Sequence, residues 1–214
     1  MAATLSPFGM RPIYLIGGQA FSGGTVREYL LPSNVALAYY TGALMKLDAN
    51  GVITPWSSTA PVAPVWTGTA TAGSAGIVGI CAGVRYVSID TKQPLHAQYL
   101  PTGAVTAGYT DVWIKVWDDP DQLYTIQCDT AVGSKTNGAR GAIGQNVQMK
   151  TFTGSATTGL SNMVADTGSN WGSTASTATL PLRIVDIATP NDTYPELIVK
   201  FNLGVHSYYN SLAI

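Results

Sequence analysis

Asp111-Val112-Trp113-Ile114-Lys115-Val116-Trp117-Asp118-Asp119-Pro120-Asp121-Gln122-Leu123-Tyr124-Thr125-Ile126-Gln127-Cys128 is the stretch on which the fold turns. From Val112 to Trp117 the residues alternate. Val112, Ile114 and Val116 face one way and Trp113, Lys115 and Trp117 the other, the period-2 pattern of a half-buried strand. Asp118 to Asp121 carries turn chemistry, because Asx side chains bond nearby backbone and Pro presets φ. Gln122 to Cys128 is strand-like again, so the whole stretch predicts a β-hairpin.

Working outward, the signal stays β. Val26 to Leu31, Val35 to Tyr40 and Ala43 to Leu47 are short, rich in branched and aromatic residues, and divided by Pro32-Ser33-Asn34 and Thr41-Gly42. Asp48-Ala49-Asn50-Gly51, between Lys46-Leu47 and Val52-Ile53, predicts a second hairpin. Ile77 to Asp90 reads as one long or bent strand, with Gly79 and Gly83 marking a bulge or bend. Leu197, Val199, Phe201 and Leu203 alternate with Glu196, Ile198, Lys200 and Asn202 and predict a last strand. Helix signals are scarce.

Three segments lack this pattern. Residues 1–25, with Pro7, Pro12, Gly9, Gly17-Gly18 and Gly23-Gly24 around the apolar Ile13 to Ile16, are expected to form an extended N-terminal arm. Residues 54–76 and 153–179, dominated by Thr, Ser, Ala and Gly, are expected to be long polar loops or protrusions. The expected fold is therefore mainly β, a β-barrel or β-tulip/sandwich-like body over 26–214 with an N-terminal arm and little helix.

Composition narrows the function. Of 214 residues only 11% are charged, against about 25% in ordinary soluble domains, while 46% are hydrophobic. The surface is expected to be largely neutral and in good part laid against other protein. A net charge of -1 with scattered Lys and Arg offers no footprint for nucleic acid. No apolar run approaches the roughly 20 residues of a membrane span, and the first residues do not read as a signal peptide.

Candidate chemistry is thin. His96 and His206 belong to no metal-binding spacing, no Gly-x-Ser-x-Gly elbow occurs, and no acid, base and nucleophile are grouped. No enzyme, cofactor or metal site is expected. Asp118, Asp119 and Asp121 are carboxylates dense enough to consider for a hard cation, but a turn selects the same residues. Gly138, Gly141 and Gly144 have neither dinucleotide nor P-loop spacing and predict a turn-rich connection. Cys81 and Cys128 are expected to be buried free thiols. Carbohydrate stacking on Trp56, Trp66, Trp113, Trp117 and Trp171 is a minor alternative. Trp113 and Trp117, on the non-core face beside the acidic tip, are expected to make a subunit contact.

The segments Ser6-Pro7-Phe8-Gly9-Met10-Arg11-Pro12, Tyr40 to Asp48 ahead of Ala75 to Ile80, and Val116 to Tyr124 resemble a family of small virion proteins of tailed bacteriophages. The resemblance covers most of the chain, and its motifs are structural. It implies a capsid decoration, or cement, protein: a β-rich chain, often a homotrimer, on the outer surface of a phage head, bound to the major capsid protein and clamping neighbouring capsomers. It carries over no catalytic residue. The expected subunit or capsid contacts are Phe8, Met10, Ile13, Tyr14, Phe21, Trp113, Trp117, Tyr208 and Tyr209. Alternatives within the virion are a head fibre base, a tail tube protein or a head-tail connector. The 153–179 span has no counterpart in the smallest decoration proteins.

Overall fold

The computed structural model describes residues 5–20, 26–48, 50–56, 76–132, 138–150, 154–167, 180–189, 193–202 and 206–208. The expected contacts Phe21 and Tyr209, the tryptophans Trp66 and Trp171, Leu203, most of the 54–76 span and residues 153 and 168–179 of the second polar span lie outside the described residues.

The fold is mainly β, as expected, and its sheets are open rather than closed into a barrel, so the sandwich-like alternative fits. One six-stranded sheet runs β1 (Arg11–Leu15), β10 (Gln122–Gln127), β14 (Glu196–Phe201), β13 (Leu182–Ile187), β11 (Asn146–Lys150), β12 (Val164–Asp166). A second runs β2 (Val26–Leu30), β9 (Thr110–Trp117), β6 (Ile77–Val87), β4 (Leu44–Leu47), β5 (Ile53–Pro55), with β7 (Pro94–Ala97) also on β6. β3 (Tyr39–Tyr40) and β8 (Tyr99–Leu100) form a separate pair. Every pairing between these strands is antiparallel.

The alternating strands behave as read. On β9, Val112, Ile114 and Val116 are buried while Trp113, Lys115 and Trp117 are half-buried on the other face. On β14, Leu197, Val199 and Phe201 point inward. Side chains from both sheets, among them Ile80, Val84 and Ile114 from one and Tyr124, Ile184 and Phe201 from the other, meet in one hydrophobic core. Each such side chain contributes roughly 1.5–3 kcal/mol by leaving water.

The expected hairpin from Val112 to Cys128 is corrected. β9 pairs with β2 and β6, and β10 pairs with β1 and β14, so Asp118 to Asp121 carries the chain from one sheet to the other. The turn chemistry is present: Asp119 Oδ1 accepts from the Asp121 N–H at 2.9 Å, and the Gln122 N–H reaches Asp119 O at 3.2 Å. The physical reason for the crossing is the burial of β10. Gln122, Leu123, Tyr124, Ile126 and Gln127 are all buried, which takes cover on both faces, and period-2 polarity is missing. The Tyr124 hydroxyl then ties the corner by donating to Trp117 O at 3.2 Å.

The second hairpin forms as expected between β4 and β5. Asp48 Oδ1 accepts from the N–H groups of Asn50 and Val52, and Gly51 takes a positive φ of 72° that a side chain would strain. β6 is the expected long strand, with its register against β9 shifting at Cys81/Gly83. At Gly79 the strands approach so closely that a Cβ would fall on the Trp117 carbonyl oxygen. Residues 138–142 form a 3-10 turn. Val35 to Tyr40 yields only β3, and the polar span expected from 153 contains β12.

The N-terminal segment is partly woven into the body. β1 pairs with β10 of the same chain, as an edge strand that tolerates Pro12, and Met10 is 1% exposed with its N–H on Gly42 O at 2.9 Å. The apolar patch Ile13 to Ile16 thus serves a strand.

Candidate contact surfaces

The outer face of the second sheet is built by β2, β9, β6 and β7. Register sets Leu30 opposite Trp113, Glu28 opposite Lys115 and Val26 opposite Trp117, while Arg85 of β6 stands opposite both Trp113 and His96. Directly opposed residues of antiparallel strands share a face, so Leu30, Trp113, Glu28, Lys115, Arg85 and His96 form one surface, whereas Trp117, opposite the core residue Ile80, packs against the hydrophobic core. Its charges pair among themselves. Lys115 reaches Glu28 at 3.8 Å and His96 Nδ1 at 3.2 Å, and Arg85 reaches Asp111 at 3.3 Å. The Trp113 indole N–H donates to Asp111 Oδ1 at 2.7 Å, and the Arg85 guanidinium lies 5.6 Å from the ring centroid. Arg85 Nε is buried with no hydrogen-bond partner among the described residues, and Leu30 is 56% exposed beside Trp113.

A second cluster sits at the corner where β9 leaves this sheet. Arg27 Nε lies 2.8 Å from Asp118 Oδ2, the Tyr29 hydroxyl is 3.4 Å from the same oxygen and 2.8 Å from the Tyr208 hydroxyl, and the Arg27 guanidinium lies over the Tyr208 ring at 4.9 Å. Burial, reinforced by the bond to Tyr208, pushes the Tyr29 phenol far up, so it stays protonated and available to donate. These contacts seat Tyr208, itself half-exposed, on the body.

The expected N-terminal contacts divide. Phe8 is half-buried under the Arg11 guanidinium, 4.1 Å from its ring centroid. Tyr14 is exposed, Ile13 half-buried, and Met10 is core; the expectation that Met10 touches a neighbour is corrected, because its side chain is used inside the chain. Alternation around Pro12 gave no warning of this, since a buried Met before an edge strand leaves no period.

The remaining polar candidates have local duties. Asp119 caps the turn, and Asp118 pairs with Arg27. Both cysteines are free and buried, and burial pushes each thiol up to about 12, far from a nucleophile. His206 is buried and accepts from the Tyr208 N–H at 3.3 Å; burial lowers its pKa. Trp56 is buried, not presented to a sugar. An open groove of about 670 Å³ lies between residues 32–37 and the β4–β5 hairpin, and its one carboxylate, Asp48, is held by the hairpin backbone. Among the described residues no three His, Cys, Asp or Glu side chains gather to hold a metal, and no helix is long and apolar enough to cross a membrane.

The corner partners Arg27, Tyr29 and Asp118 were not legible beforehand, because residues 27 and 118 meet only through the β2–β9 register. The strand β13 was missed too. Its Leu182/Ile184 alternation was a usable signal, broken after Ile184 by a bulge. No family model, curated protein or solved structure matches the chain.

Proposed function

We propose that the chain is a virion structural protein, a decoration or cement protein that sits on the outer surface of a phage head, binds the major capsid protein and stabilises contacts between capsomers, as a homo-oligomer. The observation that carries this reading is the outer face of the second sheet, where ion pairs neutralise one another around the apolar Leu30–Trp113 stripe. A surface with its charges internally matched and its apolar centre open suits a protein partner: such a patch desolvates cheaply and excludes water from a central aromatic anchor. The low overall charge and the resemblance of residues 6–12, 40–48 and 116–124 to phage decoration proteins support the same assignment. Cement action is linkage. A protein that binds the assembled shell and not its parts stabilises the shell by RT ln(1 + [L]/Kd) at each site.

Capsids stripped of the protein should lose heat resistance and regain it on adding the purified chain; equal resistance with and without it would sink the cement role. Trp113→Ala should weaken capsid binding by roughly 30-fold, the loss of an interface anchor of about 2 kcal/mol. Densitometry of virions separates this reading from a connector, which is present in few copies.

A further inference from the structure

The four strand ends Leu15, Gln122, Phe201 and Leu182 form one row across the first sheet. Leu15 stands opposite Gln122 and Leu182 opposite Phe201, while the Tyr124–Val199 pair, continued by two residues, sets Gln122 beside Phe201. Along this rim lie two unmatched sets of charge. Arg183 and Lys200 stand directly opposite each other, an arrangement that like charges disfavour. Neither forms an ion pair among the described residues, where the Arg183 guanidinium meets only Asn146 Oδ1, at 3.0 Å from Nε. The acidic side chains farther along the same strands do not answer them: Asp186 sits opposite Ile198 with its carboxylate on the Ile187 N–H, and Glu196 opposite Gln127.

At the other end of the row, Asp121 is exposed and likewise in no ion pair among the described residues. The two charge sets are joined by Ile16, whose N–H bonds Asp121 O at 2.9 Å and whose side chain, 48% exposed, lines a cavity of about 300 Å³ with Arg183 and Lys200. Tyr14, 40% exposed, continues the apolar strip along β1.

We infer that this rim is a contact between two copies of the chain, related by a two-fold axis, with Asp121 of each copy set against Arg183 and Lys200 of the other across the Tyr14–Ile16 strip. An isologous interface demands a self-complementary patch. A rim that holds both signs of charge, in no ion pair among the described residues, around exposed apolar side chains meets that demand. Charge complementarity names the occupant: the acid that matches Arg183 and Lys200 is on the same rim. The contact is independent of what the assembled protein binds.

The test is sedimentation of the full chain across a wide concentration range at low and high salt. The wild type should self-associate, more weakly at high salt. Asp121→Lys and the double variant Arg183→Glu/Lys200→Glu should each weaken association at least tenfold. Their equimolar mixture should restore it, because in the mixed pair both contacts regain opposite charges. If the double variant fails to fold by circular dichroism, Lys200→Glu takes its place. A wild type monomeric throughout, variants that associate as the wild type does, or a mixture no better than its components would each overturn the inference. Capture of acetyl-hexaglutamate amide by a monomeric wild type, lost on Lys200→Glu, would overturn it in favour of an acidic foreign partner.

Discussion

Replacing Gly79 by Ala tests the central pairing of the second sheet. Gly79 is buried in β6 where that strand passes β9. A Cβ there falls on Trp117 O, with Trp117 C and Val116 Cγ1 each 2.8 Å away, all nearer than the 3.0 Å that real Cβ contacts respect. Two of the three obstacles are backbone, so no rotamer change relieves them. The strands must part, and the Ile80–Trp117 and Cys81–Val116 pairs are the first to be disturbed. Overpacking of this kind costs about 1–3 kcal/mol, and a weakened ladder bond adds about 1 kcal/mol. A total of about 3 kcal/mol in a chain of this size lowers Tm by roughly 6–12 °C. Gly51→Ala is the control. Its Cβ meets nothing within 4 Å, and only the φ of 72° is strained, which costs about 1 kcal/mol and roughly 2–4 °C. Calorimetric melts of both variants and urea midpoints at unchanged m value measure the difference. If Gly79→Ala melts no lower than Gly51→Ala, the close approach of β6 and β9 is wrong.

Two further outcomes follow from buried titratable groups. Cys81 and Cys128, held near 12 by burial against an ordinary 9.0, should resist a thiol reagent at pH 8 until the protein is denatured; because the unfolded thiols ionise first, stability should fall as pH rises from about 9 toward 12. Rapid native labelling would contradict their burial. His206 is kept neutral by burial, with its pKa below the usual 6.5, so the unfolded chain takes up a proton that the folded chain resists and stability should fall as pH drops through that value. His206→Gln should flatten the acid limb of a stability-against-pH curve; an unchanged slope would place the acid sensitivity elsewhere.

Local physics made much of the strand set legible. Alternation from Val112 to Trp117 and from Glu196 to Phe201 states which side chains leave water, and Asp48 with Gly51 satisfies its own turn whatever surrounds it. The contact residues were legible in part: Trp113 stood out as a large ring on a polar face, whereas Arg183 and Lys200 looked like ordinary surface cations until register set them opposite each other.

What the sequence by itself determined is therefore the β character, the turns and the inward faces of the most regular strands, since each depends on residues within a few positions of one another. Only the tertiary structure decided the partners. Asp118 to Asp121 makes the same turn whether the chain folds back or crosses over, and the choice fell to the burial of β10 on both faces between β1 and β14. The same long-range packing drew Met10 into the core and gathered Asp121, Lys200 and Arg183 onto one rim, because sheet order brings together residues that no local pattern connects.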